Sequence, residues 1–225
     1  MSAITVVVFD LDGTLIDSAP DLRTALNSML SALGRRVLLL EEVTAIVGDG
    51  ARVLVERALA LTGGVEDHDA ADLTRRFINL YESRCCSETS TYAGVEEALR
   101  LLAAAGLALG ICTNKPERVT RAILSDLGLL HRFAVVVGGD TLGGIRKPDP
   151  RPLLATLAAL DAAPAQGVMV GDSLNDIAAA RGAGVPFIYH AGGYGGDDAA
   201  TLATLGIDAV IREFSALPDA IRGLS

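Results

Sequence analysis

Val8-Phe9-Asp10-Leu11-Asp12-Gly13-Thr14-Leu15 is the stretch whose reading decides the fold. Just upstream, Ile4 to Phe9 is a short β-branched apolar run without polar alternation. Such a run predicts a strand buried on both faces, the pattern of a parallel sheet. Asp10 then stands at the carboxyl end of that strand, where open α/β sheets bind ligands. Asp12 follows two residues on, and Gly13 lets the chain turn sharply away. Two carboxylates this close repel, so they need a cation, a shared proton or divergent side chains. Asp-Gly alone would be a plain turn. Placed after three valines and before a helical segment, the whole string is a functional one.

Comparable runs follow at Leu107–Cys112, Phe133–Val137, Val168–Val170 and Pro186–Tyr189, with Ala209–Ile211 a weaker sixth. Between most of them lie stretches of helical period, such as Val95-Leu99-Leu102 and Ile177-Arg181. The alternation predicts an α/β fold with a doubly wound, mostly parallel sheet. From Ser18 to about Glu88 the alternation stops. Leu22, Ala25, Leu26, Met29, Leu30 and Leu33 form an apolar stripe at helical spacing, and Ser18, Pro20 and Asp21 make a helix start. Leu54, Ala58 and Leu61 predict a second helix; Leu73, Phe77, Leu80 and Tyr81 predict another. The expected organisation is an α/β core of residues 1–16 and 90–225 with an inserted α-helical domain of residues 17–89. Its two linkers should lie close together, a hinge suited to a lid.

A chain of 225 residues, half of them hydrophobic, can bury the core this needs. The net charge of −9 argues against nucleic acid or an anionic membrane surface as partner. It leaves room for a small anionic substrate in a locally basic pocket. The uncharged run from Leu101 to Asn114 is too short to span a bilayer, and the N-terminus shows no basic leader. Adjacent Cys85 and Cys86 read as reduced thiols, which points to the cytoplasm. His68, His131 and His190 are scattered, against a zinc site. Lysine occurs only at Lys115 and Lys147, arginine supplying the other basic positions. That makes both lysines conspicuous, because a compact ammonium differs chemically from a planar guanidinium.

A second acidic strand end lies at Val170-Gly171-Asp172-Ser173-Leu174-Asn175-Asp176. Asp172 should converge with Asp10 if their strands are neighbours, while Asp176 also suits a helix N-terminus. Hard oxygen ligands from different strands favour Mg²⁺ over zinc. Thr113-Asn114 follows the strand ending at Cys112, and Lys147 sits in Arg146-Lys147-Pro148-Asp149-Pro150. A hydroxyl with backbone amides can hold phosphate oxygens, and a lysine can neutralise them. Carboxylate, hydroxyl, lysine and carboxylate, each from a different strand end, make a phosphoryl-transfer site.

These four pieces, in this order, resemble the haloacid dehalogenase superfamily of phosphatases, over nearly the whole chain. FDLDGTL matches its first motif, CTN the second, RKPDP the third and GDSLND the fourth. The resemblance implies Asp10 as nucleophile, Asp12 as general acid/base, and Thr113, Asn114 and Lys147 around the phosphoryl group. It implies Mg²⁺ on Asp10, the Asp12 carbonyl and Asp172, with Asp176 in support. DGTLIDSAPDL, IVGDGARVLVERAL and VVVGGDTLGGIRKPDPRPLL are similar to the phosphoglycolate phosphatases, which implies 2-phosphoglycolate as the small phosphorylated metabolite hydrolysed. Tyr92-Ala93-Gly94 departs from relatives that carry proline at its middle position.

The resemblance makes the inserted helical domain a cap, whose specificity falls to the loop Gly48-Asp49-Gly50 with Arg52. That arginine suits a bidentate pair with a substrate carboxylate, and equally a solvated place at a helix start. Gly192-Gly193-Tyr194-Gly195-Gly196 reads as a flexible loop beside the site or as a connector. Two rivals stand beside the phosphatase reading. Another metabolite phosphatase or a hexose-phosphate mutase would use the same first motif. A receiver-type signalling module would be shorter and carry its phosphate on a middle strand.

Overall fold

The computed structural model describes residues 3–64, 69–83, 86–196, 202 and 204–224. Its elements run β1 (Val6–Phe9), β2 (Ile16–Asp17), then four helices, α1 (Ala19–Ala32), α2 (Leu40–Thr44), α3 (Ala51–Leu61) and α4 (Ala70–Glu82). After β3 (Ser90–Thr91) come α5 (Val95–Ala104), β4 (Ala108–Cys112), α6 (Glu117–Asp126), β5 (Val135–Val137) and α7 (Arg151–Ala159). The chain ends with β6 (Gly167–Gly171), α8 (Leu174–Ala183), β7 (Phe187–His190), β8 (Ala209–Ile211) and α9 (Leu217–Arg222).

All six predicted strands join one sheet, in the order β5-β4-β1-β6-β7-β8, and every pairing is parallel. The continuous apolar runs are explained by cover on both faces. Val7 and Phe9 point into the larger core with Leu109, Ile111 and Val170. Val6 and Val8 point the other way, against Leu153 and Leu157 of α7 and Ile177 and Ala180 of α8. The chain builds outward from β1 through β4 to β5, then crosses to β6 and builds the other way. The β1/β6 crevice is therefore the topological switch point, where ligands bind in such sheets.

Among the described residues between β2 and β3, the regular elements are all helices. On α1 the predicted stripe is buried from Leu22 to Leu30. On α3 the buried face is Leu54, Val55, Ala58 and Leu59, while Leu61 is exposed. The short α2 had no sequence signal, since five residues are too few to display a period. The helix start at Ser18 forms for a different reason than expected. Ser18 Oγ makes no cap bond and donates instead to Asp12. Asp21, buried, accepts from the backbone of Glu88 and Thr89 and from the Thr89 hydroxyl, tying the outgoing chain to the returning one. There β2 and β3 pair antiparallel, Ile16 opposite Thr91 and Asp17 opposite Ser90. No helix among the described residues is long and apolar enough to cross a membrane.

Candidate active site

Register delivers the acidic residues to one place. Phe9 pairs with Ile111 of β4 and with Val170 of β6, so Asp10, Thr113 and Asp172 leave the sheet at the same edge. Gly13 has φ +81°, a conformation that side-chain-bearing residues avoid. A Cβ there would also lie 2.8 Å from Asp172 Cγ, so glycine is what lets the Asp10–Asp12 loop pass over Asp172.

Lys147 is the hub. Its buried ammonium lies 2.7 Å from Asp10 Oδ1 and 2.6 Å from Asp176 Oδ1. Burial works to depress its pKa, yet Asp10 and Asp176 together hold it above the ordinary lysine value. Asp176 Oδ2 accepts from the amides of Asp172 and Ser173 (3.2 and 3.0 Å) and from the Ser173 hydroxyl (2.7 Å). Asp172 accepts from Thr14 Oγ1 at 2.7 Å and from the Tyr194 amide at 2.8 Å.

Among the described residues, Asp10, Asp172 and Asp176 form a metal-capable group, one oxygen of each lying within 4.8 Å of the others. Of these three buried carboxylates, Asp10 and Asp176 share a single ammonium and Asp172 is bound by neutral donors. Burial raises the Asp10 carboxyl from 3.8 to about 6, against the pull of Lys147 and with added repulsion from Asp176. Burial, with repulsion from Asp176 and Asp10, likewise raises Asp172. An all-oxygen, under-neutralised donor set fits a hard divalent cation such as Mg²⁺. The full complement of bonds on Asp176 fits a supporting place there.

Asp12 faces the helices. Lys115 Nζ donates to its two oxygens at 2.8 and 2.9 Å and lies 4.7 Å from the Tyr81 ring centroid. Burial opposes the Lys115 charge, but Asp12 raises its pKa above the ordinary lysine value. Thr113 Oγ1 accepts from the Lys115 amide at 3.2 Å, and Asn114 Nδ2 donates to the carbonyls of Gly48 and Lys147, both at 2.9 Å. Asn114 thus links the α2–α3 loop to the lysine loop. A cavity of about 50 Å³ runs from Asp10 and Asp12 past Thr113, Asn114 and Lys115 to apolar helix residues including Leu54, Phe77 and Tyr81.

Asp10, Asp12, Thr113, Asn114, Lys147, Asp172 and Asp176 are therefore brought together. Arg52 is not: its side chain is 65 % exposed, pairs with Glu56 at 2.8 Å and lines a neighbouring cavity. Tyr194 had no assigned part in the sequence reading. Its amide binds Asp172, while its hydroxyl donates to Asp17 (2.7 Å) and accepts from the amides of Ser18 (2.8 Å) and Ala19 (3.0 Å). The glycine-rich loop is thus a connector between the acidic cluster and the start of α1. Lys115 had only its rarity as a signal. Cys86 is half-buried; Cys85 and His68 lie outside the described residues.

Residues 4–184 match the model of the haloacid dehalogenase-like hydrolases. A phosphoglycolate phosphatase of Cereibacter sphaeroides (strain ATCC 17029) is 47 % identical over 84 % of this chain and 85 % of its own length. One of Agrobacterium fabrum is 40 % identical over 95 % of this chain and 91 % of its own. The crystal structure of a predicted phosphoglycolate phosphatase from Haemophilus somnus superposes with a TM-score of 0.89 at 31 % identity, covering 97 % of this chain and 98 % of that one.

Proposed function

The chain belongs to the haloacid dehalogenase-like hydrolases, and from that premise we propose that it is a Mg²⁺-dependent phosphatase of 2-phosphoglycolate acting through an aspartyl-phosphate on Asp10. The observation that carries the reading is Asp10 itself, buried at the switch point between Lys147, Asp172 and a cavity lined by Asp12. The relatives' being phosphoglycolate phosphatases supports the choice of ester.

An Asp10 oxygen attacks phosphorus and the phosphorus–ester oxygen bond breaks, leaving the phosphoryl group on Asp10. Asp12 gives its proton to the departing glycolate oxygen. Water then gives a proton to Asp12 and attacks phosphorus, the bond to Asp10 breaks, and phosphate leaves. Both residues end as they began. Lys147 faces the phosphoryl oxygens and offsets the repulsion between a carboxylate and a dianion. The Thr113 hydroxyl and the Asn114 amide hold those oxygens in line. Asp10, the Asp12 carbonyl and Asp172 would hold Mg²⁺, with Asp176 in support; when bound, the ion supplies further positive charge at the transferring group. Residues 17–89 act as a cap whose apolar wall excludes water from the cavity.

Phosphate release across a panel of small esters, with and without chelator, tests the reading. The expected result is Mg²⁺-dependent turnover with 2-phosphoglycolate giving the highest kcat/KM. A higher value for a hexose phosphate or nucleotide would overturn the substrate and leave the mechanism.

A further inference from the structure

We infer that Lys115 binds the carboxylate of the substrate, so that the cavity selects short phosphate esters carrying a second, carboxylate charge. The inference rests on the phosphatase reading of the same cavity. Among the described residues lining it, the charged ones are Asp10, Asp12 and Lys115. Everything that α1, α3 and α4 contribute to that wall is uncharged, including Leu22, Leu54 and Phe77. Lys147 cannot serve the distal end, because its ammonium is held between Asp10 and Asp176. Arg146 lines the neighbouring cavity with Arg52, and donates to the carbonyl of Asp49.

Lys115 is built for the task in three ways. Its ammonium has three donors; Asp12 takes two of them, at 2.8 and 2.9 Å, and one of that pair can be exchanged for a substrate carboxylate while the other still holds Asp12. It is 6 % exposed, and a charge-assisted bond formed away from water discriminates strongly between an anion and a neutral group. Its position is set by the turn that carries Thr113, whose hydroxyl accepts the Lys115 amide proton. Phosphate and carboxylate sites thus share one rigid loop, and the small cavity admits only a short spacer between them. Tyr81 beneath the ammonium restrains it from the α4 side.

The test compares 2-phosphoglycolate with 2-hydroxyethyl phosphate, its neutral counterpart, in wild type, Lys115→Gln and Lys115→Met. The readout is the ratio of the two kcat/KM values, which divides out any effect of losing the ion pair with Asp12. Wild type should favour the acid, and both variants should lose about tenfold or more of that preference, mainly through the KM of the acid. If the Gln and Met variants do not fold by circular dichroism, Lys115→Arg keeps a cation beside Asp12 and should still alter the ratio. An unchanged ratio in folded variants, with both rates reduced alike, would overturn the inference and leave Lys115 serving Asp12 alone. Failure of wild type to turn over either ester would instead overturn 2-phosphoglycolate as the substrate, and the inference with it.

Discussion

Removing the charge of Asp10 should make the metal-free protein more stable at neutral pH, although it destroys the proposed nucleophile. The folded-state pKa of Asp10 lies at about 6, above its ordinary 3.8, because burial outweighs the pull of Lys147. The folded chain therefore binds a proton more tightly than the unfolded chain does. Its contribution to stability is complete below about pH 4 and is lost as pH rises through about 6. Across that window the carboxylate forfeits about 3 kcal/mol, which corresponds to about 6–12 °C in Tm for a chain of this size. Asn at position 10 has no such titration. In chelator, Asp10→Asn should match wild type near pH 4 and exceed it by about that much at pH 7.5. Added Mg²⁺ should then stabilise wild type more than the variant. The chain has no tryptophan, so far-UV circular dichroism is the natural readout. A variant no more stable than wild type at pH 7.5, or Mg²⁺ stabilising both equally, would refute the reasoning.

Three further outcomes follow from the same geometry. Gly13→Ala places a Cβ against Asp172 at a positive φ, and kcat should fall by about 100-fold or more while circular dichroism shows the fold retained. Tyr194→Phe removes the hydroxyl shared by Asp17, Ser18 and Ala19 but keeps the backbone bond to Asp172; urea unfolding should show a loss of about 2 kcal/mol. Cys112, buried and pushed up to about 12, should resist alkylation at pH 8 in the native protein and react on denaturation, as peptide mass mapping can show.

The sheet was legible in the sequence because each strand is a continuous apolar run with cover on both faces, and parallel pairing leaves that mark locally. Asp10, Thr113 and Asp172 were legible because each directly follows such a strand, and Lys147 because it is one of two lysines and lies in Arg146-Lys147-Pro148-Asp149-Pro150. What was hidden depends on distance along the chain. Tyr194 sits among glycines, a local signal of looseness, and its role exists only because the fold carries it to residues 17–19. Lys115 announces itself by rarity alone; its pairing with Asp12 spans the whole insertion. For Arg52 the sequence allows a substrate contact or a solvated place at a helix start, and the structure takes the second. Its partner, Glu56, is one turn along its own helix, a local pair of the kind found on solvated helix faces.

The covalent intermediate tests the central claim most directly. Rapid acid quench during turnover of 2-phosphoglycolate, borohydride reduction and peptide mapping would locate any acyl phosphate. The account predicts homoserine in place of Asp10, and none in Asp10→Asn, which should also be inactive. Phosphate release with no modified aspartate, modification at another carboxylate, or retained turnover in Asp10→Asn would contradict it.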